Sequence, residues 1–207
     1  MTAIPQTDEH LTFLTHPHAT RTPQVMAAVL ALNNRNVPAV NHLSMEDLKA
    51  IVDEARLFVV AAETHLLKRD ADADDDDDGQ ATSSIVGYLI CMADGAKYSS
   101  PNYTYFAKRY GAEKDYLYVD RIVLDEPHHG KGIGRQLYSL VDTLGAEVAA
   151  EVGHPIRHLC CEVNVKPRNE QSLAFHSKCG FVEVGQQDVE GGTKTVSMLV
   201  RPIAAQP

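Results

Sequence analysis

The sequence predicts an α/β fold, a mixed and mostly antiparallel sheet of about six to seven strands with about four helices on its two faces. Short β-branched, apolar runs alternate with stretches whose apolar residues recur at helical spacing. With 207 residues and 44% apolar composition, the chain is long enough to bury one good core. We therefore expect a single domain over residues 1–207.

The first quarter of the chain predicts a strand followed by two helices. Residues 11–16 form a short candidate strand, and the apolar residues of 22–35 recur on one helix face. Ser44 then begins SMEDLKAIVDEAR, where it can cap a helix and Asp47, three residues on, partly imitates a capping box. These elements precede the central strands of the sheet.

The rest of the chain supplies most of the sheet and two further helices. One helix runs from Lys131 to near Gly153, and another, over 169–179, ends at Gly180. The aromatic and basic stretch PNYTYFAKRYG shows no clear element. Apolar and β-branched runs predict the remaining strands at residues 57–63, 84–94, 116–124 and 158–165, and in FVEVGQ and TKTVSMLV.

An acidic segment at residues 64–83 separates two of the predicted strands. Its end, DDDDDG, matches the start of a calcium loop, but Ile85 stands where that loop needs a bidentate glutamate, and flanking helices are absent. Like charges at this density repel one another and cannot be buried. We therefore predict an exposed, mobile hairpin insert rather than a calcium site.

Composition and charge exclude several function classes. The net charge is −9 and the acidic run supplies most of it, so the rest shows no basic surface for nucleic acid and no polybasic membrane patch. The four cysteines suggest neither a disulfide framework nor a CxxC metal site. MTAIPQTDEH lacks the features of a signal peptide, and no apolar run approaches the roughly 18 residues that span a bilayer. We expect a cytoplasmic protein without a metal.

Three glycines at alternate positions follow the strand at 116–124 and open the long helix, in HHGKGIGRQLYSLV (128–141). A strand, a glycine turn and a helix start direct unpaired backbone N–H groups and the positive end of the helix dipole at an anion, which predicts a phosphate site. The GxxxxGK[ST] of a P-loop is absent, and GxGxG follows the fourth strand rather than the first strand of a Rossmann unit. Both nucleotide-binding interpretations are weakened.

Two segments resemble the GNAT superfamily of acyl-CoA-dependent N-acetyltransferases. HGKGIG (129–134) resembles its R/Q-x-x-G-x-G/A signature, with His129 in place of the usual Arg or Gln. NVKPRNEQSLAFHSKCGF is similar to its N-x-x-S-x-x-F-Y-x-x-x-G-F, through Asn169, Ser172, Phe175 and Gly180-Phe181. The match extends from about residue 84 to residue 200, and the second segment looks most like a bacterial branch of predicted acetyltransferases.

The resemblance implies a sheet splayed between strands 4 and 5, with acetyl-CoA bound there as co-substrate. The chain near Val123 and Leu124 would pair with the pantetheine arm as an added strand, and the glycine turn would wrap the pyrophosphate. From the residues alone, Asn169 is equally a helix N-cap with Ser172 at N3. The implied cofactor-binding residues are Val123, Leu124, His129, Gly130, Lys131, Gly132, Ile133, Gly134, Arg135, Asn169 and Ser172.

Acetyl transfer needs a neutral amine, a polarised thioester carbonyl and a proton for the leaving thiolate. The resemblance places His176 where the family often has a tyrosine acid; imidazole can donate a proton, and packing between helix and sheet is the other explanation. Asp120 is either a base for the amine or one half of an ion pair, with the adjacent Arg121 or with a lysine elsewhere. Glu162, on the next strand, can line the same cleft. The predicted catalytic residues are therefore His176, Asp120 and Glu162.

These features predict an N-acetyltransferase that moves an acetyl group from acetyl-CoA to a primary amine by direct attack in a ternary complex. Because the usual tyrosine is missing, a non-catalytic acyl-CoA-binding sensor or partner subunit is the alternative. The acceptor is a small-molecule or peptide amine that the sequence does not identify, and a homodimer is open by analogy. Four aromatic residues are either walls of its pocket or plain packing: Tyr103, Tyr105, Phe106 and Tyr110.

Overall fold

The sheet has seven strands in a computed structural model that describes residues 11–64 and 85–203. The strands are β1 (Leu11–Leu14), β2 (Leu57–Glu63), β3 (Ile85–Ala93), β4 (Tyr116–Leu124), β5 (His158–Lys166), β6 (Val182–Val189) and β7 (Lys194–Pro202). Their order across the sheet is β1-β2-β3-β4-β5-β7-β6. Every predicted strand is present. The predicted acidic insert at 64–83 lies outside the described residues, except for Thr64.

Six α-helices lie in the described parts of the chain, two more than the sequence predicts. They are α1 (Pro17–Thr20), α2 (Pro23–Arg35), α3 (Met45–Glu54), α4 (Pro101–Tyr110), α5 (Ile133–Val152) and α6 (Glu170–Lys178). The short α1 and the longer α4 are the additional ones. Helix α4 begins with a proline in its first turn, and Ser100 Oγ caps it by accepting from the Tyr103 amide.

The sheet is mixed because one strand pair is parallel. β1 pairs antiparallel with β2, and β7 pairs antiparallel with both β5 and β6. β4 and β5 are parallel, and their register covers only Tyr116–Tyr118 and His158–Cys160. Beyond these three residues the two strands part. This confirms the predicted split between strands 4 and 5.

The chain forms two compact units. The first comprises the described residues of 1–53, 57–90 and 122–139. In this unit the buried Tyr88 hydroxyl donates to Asn33 Oδ1 at 2.7 Å, which fixes α2 to β3. Ser44 and Asp47 form the predicted capping box, since each side chain accepts from the other residue's amide, at 3.0 and 3.1 Å.

The second unit comprises residues 54–56, 91–121 and the described part of 140–207. In this unit α4 packs through its aromatic side chains. Tyr103 and Phe106 are buried, and their rings lie 5.7 and 5.9 Å from that of Tyr118. The Tyr105 hydroxyl lies close to Gly185, where a Cβ would approach it to 2.5 Å. Tyr103 and Phe106 are therefore core residues, as the packing alternative predicts.

Candidate active site

In the first unit, β4 leads into the glycine turn through a short, well-paired connection. The Asp125 amide donates to the Val86 carbonyl of β3 at 2.9 Å, and a 3₁₀ turn spans Glu126–His128. Gly130 and Gly132 then adopt φ of +76° and +83°, a backbone conformation that residues with a Cβ rarely adopt. Helix α5 begins directly afterwards. The predicted order of strand, glycine turn and helix is thus confirmed.

The glycine turn presents a row of unpaired backbone donors. Within the part of the chain that the structure describes, the amides of Gly130 to Gly134 donate to no acceptor, and the first helical bonds are those of Arg135 and Gln136 to the Gly132 carbonyl. No atom lies within 4 Å of a Cβ built on Gly130 or Gly132. The turn is therefore open to a ligand, and the N-terminus of α5 favours a negative one.

Two cationic side chains flank these amides. Lys131 and Arg135 are exposed, and neither forms a hydrogen bond or ion pair with the described residues. Both belong to the predicted cofactor-binding set. Because these two side chains have no partner among the described residues, their positive charges add to the preference of the turn for an anion such as a pyrophosphate.

The side chains of the two histidines in the turn contact the ends of neighbouring strands. His129 Nε2 donates to the Leu124 carbonyl at 3.1 Å, since a carbonyl oxygen can only accept. His128 Nε2 lies 3.2 Å from Glu63 Oε1 at the end of β2. His129, which stands where the resembled signature has Arg or Gln, therefore folds back on the end of β4, and residues 130–132 of the turn are exposed.

The end of β4 packs so closely on β3 that the facing residue of β3 must be a glycine. A Cβ on Gly87 would lie 2.4 Å from Leu124 Cδ2 and 3.1 Å from the Val123 carbonyl. Val123 is buried and Leu124 half-buried. The pairing of these two residues with a pantetheine arm stays a prediction.

In the second unit, Asp120 of β4 forms a buried ion pair. Its Oδ2 accepts from Arg121 Nε at 2.6 Å, with side-chain exposures of 5% for Asp120 and 8% for Arg121. Its Oδ1 accepts from the Tyr98 hydroxyl at 2.5 Å. Of the two predicted explanations for this carboxylate, the ion pair with Arg121 is present, and a role as base stays a prediction.

In Glu162 of β5, one carboxylate oxygen accepts a hydrogen bond and the other does not. Asn102 Nδ2 donates to its Oε1 at 2.9 Å, whereas Oε2 is buried without a partner among the described residues. The Tyr118 hydroxyl of β4 is likewise buried without a partner at normal hydrogen-bond geometry, but it lies close enough to Glu162 to favour the ionised carboxylate. Burial, together with the charge of Asp120, raises the pKa of Glu162 to about 8. Glu162 therefore titrates in the range where a general base operates.

His176 of α6 is buried among aromatic rings. Its Nδ1 donates to the Ser172 carbonyl at 2.7 Å, and its ring makes edge contacts with Phe175 and Phe181 at 5.1 and 5.3 Å. Burial lowers the pKa of His176, so the neutral imidazole with its proton on Nδ1 is favoured. These ring contacts agree with the packing explanation for His176. Its role as the acid stays a prediction.

The predicted contacts of α6 with the cofactor include its N-cap. Asn169 Oδ1 accepts from the Ser172 amide at 3.0 Å, which is the capping arrangement that the residues alone predict. Ser172 Oγ lies 3.3 Å from His176 Nδ1. Cofactor contacts from Asn169 and Ser172 stay predictions.

The sequence does not predict four residues of the polar cluster around Glu162. Tyr98, Asn102, Tyr118 and Gln187 contribute hydroxyl and amide groups to it. Tyr118 could have been found from the two-residue period of β4, which places it on the face of Asp120. Asn102 and Gln187 could not, because they come from α4 and β6, and only the fold brings them together.

A separate cavity of about 560 Å³ lies in the second unit. None of the predicted site residues lines it. Its walls come from the end of β5, α6, β6 and β7, and include Lys166, Leu173, Phe181, Glu183 and Leu199. Within residues 11–64 and 85–203, no group of His, Cys, Asp and Glu side chains could hold a metal ion. No helix in these ranges is long and apolar enough to cross a bilayer.

The family follows from residues 41–181, which match the model of the Acetyltransferase (GNAT) family. That stretch is more than half of the 207 residues and contains the glycine turn, Asp120, Glu162 and His176. The chain belongs to the GNAT acetyltransferase family. No curated protein sequence matches it significantly.

Solved structures show the same fold at low sequence identity. Ard1 from Thermoplasma volcanium is 14% identical with a TM-score of 0.61, over 95% of this chain and 99% of that one. The ribosomal-protein-S18-alanine N-acetyltransferase from Escherichia coli is 13% identical with a TM-score of 0.57, over 95% and 96%. An aminoglycoside 6'-N-acetyltransferase complexed with coenzyme A is 14% identical with a TM-score of 0.58, over 95% and 99%. These likenesses confirm the predicted GNAT-like α/β fold.

The buried His176 generates a prediction about stability. Its pKa is lowered in the folded state and ordinary, near 6.5, in the unfolded state, so the unfolded chain binds the extra proton. Stability from a neutral His176 is therefore present above about pH 6.5 and lost as the pH falls below it. We expect His176→Phe to lose less unfolding free energy than the wild type between pH 7.5 and 5.5, in denaturant titrations.

The exposed His42 supplies the control for this experiment. His42→Gln also removes one imidazole, and the change in His176→Phe is compared with the change in this variant. Equal pH dependence in His176→Phe and the wild type would contradict the assignment of a buried, neutral imidazole. The same His176→Phe variant also tests the acid role, because unchanged turnover excludes His176 as the proton donor.

Proposed function

We propose that this GNAT family member is an N-acetyltransferase that transfers an acetyl group from acetyl-CoA to a primary amine in a ternary complex. One observation carries the proposal. The amides of Gly130 to Gly134 are unpaired, lie at the start of α5, and are flanked by the exposed Lys131 and Arg135. This arrangement suits a pyrophosphate better than any neutral ligand.

The proposed cofactor site centres on the glycine turn. The backbone of residues 129–134 and the side chains of Lys131 and Arg135 bind the pyrophosphate of acetyl-CoA. The chain at Val123 and Leu124 pairs with the pantetheine arm. Asn169 and Ser172 complete the proposed set through the start of α6.

The proposed reaction is direct attack on the thioester. The amine nitrogen forms a bond to the carbonyl carbon, the carbon–sulfur bond breaks, and the amine loses a proton while the CoA thiolate gains one. Glu162 takes the proton from the amine, which its near-neutral pKa supports. His176 remains the proposed donor to the thiolate and acts in its protonated form, because the neutral imidazole carries its one proton on Nδ1, bonded to the Ser172 carbonyl. Asp120, paired with Arg121 and Tyr98, holds negative charge beside Glu162.

The acceptor, compartment and place in the family belong to the same proposal. The acceptor is a small-molecule or peptide amine. The protein acts in the cytoplasm, without a nucleic acid or membrane partner, and falls within a bacterial branch of the family. The net charge of −9, most of it in the acidic run, supports the lack of a nucleic acid partner, and the segment that ends at Phe181 supports the branch.

An assay of thiol release tests the proposed function. Purified protein is mixed with acetyl-CoA and a panel of amines that includes polyamines, amino acids, aminoglycosides and peptides with free N-termini. Release of CoA that depends on one class of amine supports the proposal. Tight binding of acetyl-CoA without release from any amine contradicts it in favour of an acyl-CoA-binding sensor.

Gly132→Ala should weaken acetyl-CoA binding about tenfold or more, measured by calorimetry. The new Cβ occupies the approach to the amides, and the φ of +83° costs a residue with a Cβ about 1–2 kcal/mol of stability. Gly153→Ala is the matched control, because Gly153 has a φ of +76° and the same open surroundings at the end of α5. Equal affinities in both variants would contradict a cofactor role for the turn.

Glu162→Gln should lower kcat/KM by about 10²–10⁴-fold, because the amide cannot accept the proton of the amine. In the wild type, kcat/KM should rise with pH through about 8, since the base acts when ionised and Glu162 ionises there. Initial rates from pH 6 to 10 measure both effects. The exposed Glu113 provides the control, and Glu113→Gln should behave as the wild type. A wild-type profile that stays flat through pH 8 is the contrary result.

A further inference from the structure

Two side-chain amides hold Glu162 in a chain that joins three elements of the second unit. Gln187 Nε2 of β6 donates to Asn102 Oδ1 at 2.9 Å. Asn102 Nδ2, in the first turn of α4, donates to Glu162 Oε1 of β5 at 2.9 Å. The reaction described above uses neither amide. The two amides therefore influence the reaction only through Glu162.

The direction of this chain follows from the chemistry of its groups. An ionised carboxylate can only accept, so Asn102 must turn its NH₂ group toward Glu162. The Asn102 carbonyl then faces Gln187, which must present its own NH₂ group. Gln187 thereby fixes which way Asn102 points. The chain as a whole is ordered to donate one hydrogen bond to ionised Glu162.

The bond from Asn102 decides which oxygen of Glu162 is available. Oε1 is occupied, and Oε2 is the buried atom that lacks a partner among the described residues. The Tyr118 hydroxyl of β4 is a second buried atom without a partner at normal hydrogen-bond geometry, and it lies close enough to Glu162 to favour its ionised form. An unsatisfied buried oxygen costs free energy, so Oε2 favours a donor supplied by a bound molecule.

We propose that Asn102, oriented by Gln187, is a positioning residue that holds Glu162 with Oε2 presented to the acceptor amine. This inference rests on the proposed function, because it assumes that Glu162 receives the proton of that amine. Asn102 acts through Glu162 and does not itself react.

Other charged and titratable groups also face Glu162. The Asp120 carboxylate of β4 opposes the ionisation of Glu162, and the Arg121 guanidinium favours it. Tyr118 and Tyr98 face it with hydroxyls whose own pKa values burial and nearby carboxylates raise. The bond from Asn102 favours the ionised carboxylate, so its loss should raise the pKa of Glu162.

Asn102→Asp tests the proposal because it keeps the size of the side chain and replaces the donor with a second carboxylate. We expect the rise of kcat/KM with pH to move upward by about one pH unit or more, which lowers the rate at pH 7 about tenfold. Because the new carboxylate also raises the pKa of Glu162 by its own charge, Asn102→Leu removes the donor without adding a charge. It should move the profile upward by less, whereas a role in packing alone would leave the profile of Asn102→Leu in place. Gln187→Glu should move it in the same direction by less, and it serves if Asn102→Asp folds poorly.

Gln186→Glu is the matched control. It makes the same change next to Gln187, but the side chain of Gln186 donates to Glu183 and not to Asn102. Its profile should equal that of the wild type. An equal upward movement in Gln186→Glu and Gln187→Glu would assign the effect to added charge alone and overturn the proposal.

A carbon-13 NMR titration of the Glu162 carboxyl, assigned with Glu162→Gln, gives a readout that does not need activity. A raised midpoint in Asn102→Leu, which adds no charge, supports the positioning role, and an unchanged midpoint overturns it. A wild type that releases no thiol with any amine contradicts the proposed function, whereas the NMR midpoint tests the amide chain by itself. The two failures are therefore distinguishable.

Discussion

The row of unpaired amides between Gly130 and Gly134 is the constraint around which the first unit is organised. A helix start always leaves donors without partners, and here the preceding glycines extend that row into the turn. The strand end is tied to β3, and His128 and His129 hold the flank of the turn against β2 and β4. The surroundings thus fix the backbone and leave its donors open to an anion.

In the second unit the corresponding feature is the carboxylate of Glu162, one of whose oxygens is buried without a hydrogen-bond partner among the described residues. Burial and the negative charge of Asp120 raise the pKa of Glu162 to about 8, although Tyr118 and Asn102 favour its ionised form. Asp120 has two donors, because Arg121 and the Tyr98 hydroxyl both bond to its carboxylate. The two carboxylates on neighbouring strands therefore differ in their partners, and only Glu162 has an oxygen without one among the described residues.

Local signals in the sequence were sufficient for most of the fold and for the glycine turn. The boundaries of β2 and β4 follow directly from their β-branched runs, and the Ser44–Asp47 capping box forms as its spacing predicts. The turn is predictable because its chemistry lies in six consecutive residues. Helix α4 was not predicted, since its aromatic residues obscure the helical period that Tyr103 and Phe106 follow.

Side-chain roles that depend on long-range contacts could not be derived in this way. The burial of His176 depends on Phe181, which lies beyond the end of its helix. The pairing of Asn102 with Glu162 and Gln187 spans 60 and 85 residues of sequence. Asp120 is the intermediate case, because its partner Arg121 is adjacent in sequence and the ion pair was one of two stated alternatives.

The most direct measurement is an amide NMR titration of nitrogen-15-labelled protein with acetyl-CoA. The account predicts that the amide signals of Gly130 to Gly134 move together and saturate with one molecule of acetyl-CoA, because those donors exchange water for phosphate oxygens. Saturable binding that leaves these five signals in place would contradict it, since the cofactor would then occupy another part of the chain.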